Sequence, residues 1–230
     1  MMTLKDGDRL SLRGPVFLTL TITFQDRSEG QYVVFTPATY DKNCLHPTIL
    51  FLHGMGEVGT GNNKQVTIGI GPAIKKRWDT FPFITVFPQA CESWDLEDPD
   101  APHAIEILDQ VQKDFAVDPA RVYLTGLSMG GHGTWVLAAK YPQRFAAIAP
   151  ICGYADPEIA PAVSHLPVWC FHGSADKAVP VDQSRKMIHA LKATGASPKY
   201  TEYKRVRHNS WDRAYDTDQL YDWFLTHEQT

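Results

Sequence analysis

Cysteine is sparse in this sequence: Cys44, Cys91, Cys152 and Cys170 are the four in 230 residues. None forms a C-x-x-C pair or falls at a metal-ligand spacing, which removes the usual cysteine-based metal sites and redox pair. Cys152 and Cys170 lie in apolar runs and read as small core residues. Cys44 and Cys91 fall near loops, where a bridge between them stays open. Long apolar runs are also missing, since none approaches the ~20 residues that span a bilayer. The opening "MMTLKDGDRLSLRGP" lacks the charged-then-apolar order of a secretory signal. As given, the chain reads as cytoplasmic, with secretion open if a leader has been removed. Neither sign of charge dominates: 22 Lys and Arg against 26 Asp and Glu leave a net charge of -4. Neither nucleic acid nor an anionic membrane is therefore an expected partner. The basic stretch "KYTEYKRVR" reads as a strand with solvated edges. No Pro/Gly/Ser-rich linker and no internal repeat divides the chain, so residues 1–230 are expected to form one domain.

What is present is a strand followed by a helix, many times over. "VFLTLTITF" and "QYVVFTP", separated by the turn-rich "QDRSEG", predict an antiparallel pair. "TILFLHG", "ITVFPQA", "RVYLTG", "FAAIAPICG" and "PVWCFHG" are continuous apolar runs, as strands buried on both faces require. "KYTEYKRV" supplies a last strand, for about eight in all. Between them, Ile105, Leu108, Val111 and Phe115 recur at helical spacing, as do Met187 or Ile188 with Leu191. Asp182 is placed to cap that second helix and Gly195 to stop it. A final helix puts Leu220, Trp223 and Phe224 on one face. This alternation predicts an α/β fold with a mostly parallel sheet flanked by helices. In such sheets ligands bind beyond the carboxyl ends of the strands.

Four segments carry chemistry to that edge: "HGMGEVGTG", "GLSMGG", "HGSADKAVP" and "RHNSW". Gly126-Leu127-Ser128-Met129-Gly130 spans a strand, a sharp turn and a helix start, the context in which G-x-S-x-G exposes a serine above the sheet. A serine hydroxyl is a weak nucleophile until a base takes its proton and a third group orients the base. His208 follows the last strand and is the candidate base. Asp176 stands in a turn after a strand and is the candidate orienting acid, with Asp156 and Asp182 as alternatives. The order Ser128, Asp176, His208 is the one that accompanies this motif. The Met129 amide, next to the serine, and the Met55 amide, in the glycine-rich loop after "TILFL", are the expected oxyanion donors. Trp94 either walls the substrate pocket or packs beneath a loop, and Trp211 is expected to pack the final helix. His53 and His172 each precede a glycine at a strand end and read as structural, without the spacing of metal ligands.

With "FLHGMGEVG", "LTGLSMGGHGTW", "FHGSADKAVP" and "HNSWDRAY", the chain resembles the α/β-hydrolase superfamily over nearly its whole length. Within it, the resemblance is to small serine carboxylesterases, phospholipases and dienelactone-hydrolase-like proteins, including predicted peptidases and polyhydroxybutyrate-depolymerase-like esterases. It implies a triad of Ser128, His208 and Asp176, with oxyanion donors at Met55 and Met129. Dienelactone hydrolases use a cysteine nucleophile, and Ser128 in its place argues against that substrate. The expected activity is hydrolysis of a small-molecule carboxylic ester through an acyl-enzyme, without cofactor or metal. "YADPEIAPAVSHL" is too short for a folded cap, which suits short-chain or aryl and bulky-alcohol esters. A peptidase or amidase of the same fold, and a non-catalytic binding protein, are the alternatives.

Overall fold

The computed structural model describes residues 9–12 and 14–229. Its eight strands are β1 (Val16–Thr23), β2 (Glu29–Thr36), β3 (His46–Leu52), β4 (Ile84–Pro88), β5 (Val117–Leu127), β6 (Ala147–Ile151), β7 (Trp169–Gly173) and β8 (Lys199–Tyr203). They form one sheet in the order β1-β2-β4-β3-β5-β6-β7-β8. β1 pairs antiparallel with β2, and β2 with β4, while the remaining neighbours are parallel. All eight predicted strands are present, and the α/β-hydrolase architecture follows from their order.

Alternate side chains on a strand point to opposite faces, and both faces are covered. On one side, Leu50, Leu52, Leu124 and Ile148 pack with residues of α2 (Asp100–Asp114), α3 (Met129–Lys140) and α5 (Asp182–Ala193). On the other, Ile49, Phe51, Tyr123 and Ala149 pack with α1 (Ile70–Lys76), α6 (Trp211–Tyr215) and α7 (Asp218–Leu225). That two-sided burial is why the inner strands read as unbroken apolar runs.

Several local expectations change. The predicted final helix is present as α7, which holds Leu220, Trp223 and Phe224, while the short α6 before it was not expected and is set apart where Thr217 takes an extended conformation (φ −88°, ψ 111°). Asp182 is the first residue of α5 rather than its cap, which is Val181, and its carboxylate accepts from Arg185 Nη1 at 2.8 Å. Cys44 and Cys91 are both free and exposed, so they form no bridge, while Cys152 and Cys170 are buried as expected. Between β6 and β7 lie only a 3-10 turn (Pro157–Ile159) and the single-turn α4 (Ala160–Val163), with no cap domain.

Candidate active site

The site is built where β3, β5, β6, β7 and β8 end. β5 runs into α3 through Ser128 alone, whose backbone is forced to φ 54° and ψ −115°. Few non-glycine residues occupy such a conformation, and the surrounding structure has to hold it there. Glycine makes the turn tight enough: a Cβ at Gly126 would strike the Gly130 carbonyl, and one at Gly130 would strike the Leu52 carbonyl. The Ser128 amide donates to the Ile151 carbonyl at 2.9 Å, anchoring the turn to the end of β6.

The loop after β8 folds back on the loop after β7. Ser174 N donates to Tyr203 O at 3.0 Å and Ala175 N to Val206 O at 2.8 Å. This carries His208 over Asp176. His208 Nδ1 lies 2.7 Å from Asp176 Oδ2, and His208 Nε2 lies 2.8 Å from Ser128 Oγ. Asp176 Oδ1 accepts from Ala178 N at 2.9 Å and Val179 N at 3.1 Å, so the carboxylate is held by its own turn. The three residues expected from sequence are thus joined in one hydrogen-bonded line. Asp156 is not part of it: its carboxylate accepts from Glu158 N at 3.0 Å and caps a 3-10 turn.

Met55 opens a 3-10 turn (Met55–Glu57) directly after β3, with Glu57 Oε2 accepting from Gly54 N at 3.1 Å. Because β3 and β5 are parallel neighbours, pairing Leu52 with Gly126, this loop runs beside the serine turn. Met129 is the first residue of α3. Its amide is one that a helix leaves without an intrahelical acceptor. The arrangement can transfer a proton from Ser128 to His208 and offers amides at a helix N-terminus to a developing oxyanion.

Residues 28–224 match the family model described as "Putative esterase". The chain belongs to this esterase family. A thermostable esterase of known structure superposes with a TM-score of 0.84 at 31% identity, covering 92% of this chain and 63% of that one. The bifunctional acetylxylan esterase/xylanase of Neocallimastix patriciarum is 26% identical over 198 residues, covering 83% of this chain and 27% of that protein. The poly(3-hydroxyalkanoate) depolymerase C of Paucimonas lemoignei is 31% identical over 122 residues, 46% of this chain and 28% of the relative. The chain therefore spans little more than a quarter of the length of these two curated relatives.

In this member of the esterase family, Trp94 takes the second of its two expected roles, packing beneath a loop, and is not a pocket wall. It is fully buried, its Nε1 donates to the His53 carbonyl at 2.9 Å, and a Cβ at Gly133 would collide with it. Trp94 supports the Met55 loop from below and presents no face to substrate. His53 is structural: its Nε2 accepts from Ala90 N at 2.9 Å and its Nδ1 donates to Gly54 O at 2.7 Å. Burial pushes its pKa down to about 4.

Sequence reasoning passed over two contacts. Trp211 packs edge-on against the His208 ring, with centroids 5.4 Å apart, rather than serving only the last helices. His132 lies one helical turn after Ser128. Its Nε2 is 2.6 Å from Asp95 Oδ1, its Nδ1 is 2.9 Å from Tyr154 O, and its ring stacks on Tyr154. The i, i+4 spacing from Ser128 was the available signal for His132. Cys152, Asp176 and His208 offer donor atoms within 4.8 Å of one another, a set in which His208 and Asp176 already bond to each other. Burial drives the Cys152 thiol up to about 12, so it is neutral beside the serine.

Proposed function

We propose that the protein is a serine carboxylesterase that works through an acyl-enzyme on Ser128. The observation carrying this reading is the continuous line from Ser128 Oγ to His208 at 2.8 Å and on to Asp176 at 2.7 Å, on a strained turn at a helix N-terminus. His208 takes the serine proton as Oγ attacks the acyl carbonyl and returns it to the departing alcohol; water then repeats the cycle. Asp176 holds the imidazole with Nε2 free for the serine and stabilises the imidazolium. The Met55 and Met129 amides are assigned to the oxyanion.

The substrate is proposed to be a small ester with an aryl or bulky apolar part, or a short acyl chain. Three of the exposed large apolar side chains, Met55, Leu96 and Tyr154, stand on the loops after β3, β4 and β6, at the edge that carries Ser128. The β6–β7 connection carries no cap domain over that edge. Relatives named as acetylxylan esterase and feruloyl esterase support trying acetyl and feruloyl esters.

The test is release of p-nitrophenol from the acetate, butyrate and octanoate, with an aryl feruloyl ester and a matched anilide alongside. Ser128→Ala is expected to lower ester turnover by at least about a thousandfold. Turnover unchanged in that variant would remove Ser128 from the reaction, and anilide cleavage matching the ester would favour an amidase.

A further inference from the structure

We propose that His172 is a positioning residue for this reaction, locking the Asp176 carboxylate in the orientation that serves His208. The inference deepens the esterase reading and rests on it. His172 ends up beneath the acid because β7 carries it to the strand end four residues before Asp176. Both side chains are wholly excluded from solvent.

The hydrogen-bonding inventory admits one consistent arrangement. His172 Nε2 faces two acceptors and no donor, Asp176 Oδ2 at 3.1 Å and Val179 O at 3.0 Å. That nitrogen must therefore carry the ring proton. Nδ1 then has to accept, and Ser184 Oγ lies 2.7 Å from it. Ser184, whose hydroxyl donates to the ring nitrogen, accepts in turn from Cys170 Sγ at 3.3 Å. Every donor in the chain Cys170, Ser184, His172, Asp176 points the same way.

The carboxylate consequently receives four donors, two on each oxygen. Oδ1 takes the Ala178 and Val179 amides, and Oδ2 takes His172 Nε2–H and His208 Nδ1–H. A carboxylate offers about four lone-pair sites, so this one is saturated. It cannot turn away from His208 without breaking buried bonds. Burial also holds His172 below its ordinary range, keeping it the neutral donor the arrangement needs. The opposite tautomer would set a bare nitrogen lone pair against Oδ2 and the Val179 carbonyl. An apolar side chain in its place would fill the volume and leave Oδ2 one donor short.

The experiment compares His172→Leu, His172→Gln and Ser184→Ala with the wild type, measuring kcat and KM for p-nitrophenyl acetate well below each variant's Tm. His172→Leu is expected to lower kcat at least tenfold with KM within twofold. His172→Gln, which keeps an N–H donor, is expected to recover most of that loss. Long-range 15N–1H correlation spectra of the wild type should show His172 protonated at Nε2, with mixed tautomers and a several-fold lower kcat in Ser184→Ala. Wild-type kcat in folded His172→Leu, or an Nδ1–H signal in the wild type, overturns the proposal. If His172→Leu does not fold, the tautomer and Ser184→Ala decide. Full activity in Ser128→Ala would instead sink the esterase reading, while the His172 tautomer would still be measurable in the resting protein.

Discussion

Ser128 shows how much of the chemistry rests on single backbone angles. At φ 54° its side chain is thrown clear of the sheet, within 2.8 Å of a base that lies 80 residues away in sequence. In the proposed mechanism Asp176 acts through orientation, because His208 Nδ1 donates to it and must keep that proton for Nε2 to accept from the serine. Asp176→Asn is expected to lower kcat by about a thousandfold to ten-thousandfold with little change in KM, checked by steady-state kinetics on p-nitrophenyl acetate. Cys152 gives the contrasting case of proximity without reactivity. Its thiol is fully buried and held protonated, since burial lifts it to about 12. Iodoacetamide, which reaches the exposed Cys44 and Cys91, should leave ester turnover within about twofold of the untreated protein.

At the scale of elements, the β5–Ser128–α3 unit depends on close approach to the end of β3. Gly130 sits against the Leu52 and His53 carbonyls, with no room for a Cβ. Gly130→Ala is expected to cost about 1–3 kcal/mol in urea unfolding, as overpacking does. It should also lower kcat beyond what that loss predicts, because the displaced segment leads directly into Met55. The loops after β4 and β6 are tied through His132, which bonds Asp95 and stacks on Tyr154. Tyr154 is still 41% exposed and so can meet a substrate. Removing its ring by Tyr154→Ala should raise KM for an aryl ester by about fivefold, a loss of about 1 kcal/mol of apolar contact, and leave the acetate nearly unchanged.

Over the whole molecule, buried neutral histidines make stability depend on acid. His53 has its pKa pushed by burial from 6.5 to about 4, and His172 moves in the same direction. The unfolded chain therefore binds more protons than the folded one between those values, and stability rises with pH across that window. The His53 contribution is fully present above pH 6.5, declines as pH falls below it, and is lost by about pH 4. The shift corresponds to about 3 kcal/mol. Urea unfolding at pH 7 and pH 4 should show a loss of this order, with a smaller difference in His53→Gln. An equal difference in both proteins would assign the acid sensitivity elsewhere.

Local pattern settled much of this molecule in advance. Apolar runs flanked by turn residues encode strands buried on two faces, and G-x-S-x-G between a strand and a helix encodes a half-buried serine on a sharp turn at the sheet edge, because both depend on neighbours along the chain. Asp176 was legible as the leading acid, with Asp156 and Asp182 as alternatives. Its contact with the base came only with the crossing of the β7 and β8 loops, which brings His208 within 2.7 Å across 32 residues and leaves Asp156 and Asp182 outside the line. Trp94 was ambiguous for a related reason: an aromatic side chain in a loop satisfies burial or substrate contact equally well, and the space left above Gly133 decides for burial. His172 looked like a strand-end residue in sequence. Its role emerges from two acceptors on one nitrogen and a hydroxyl on the other, partners set by tertiary packing because hydrogen-bond direction is a property of three-dimensional neighbours.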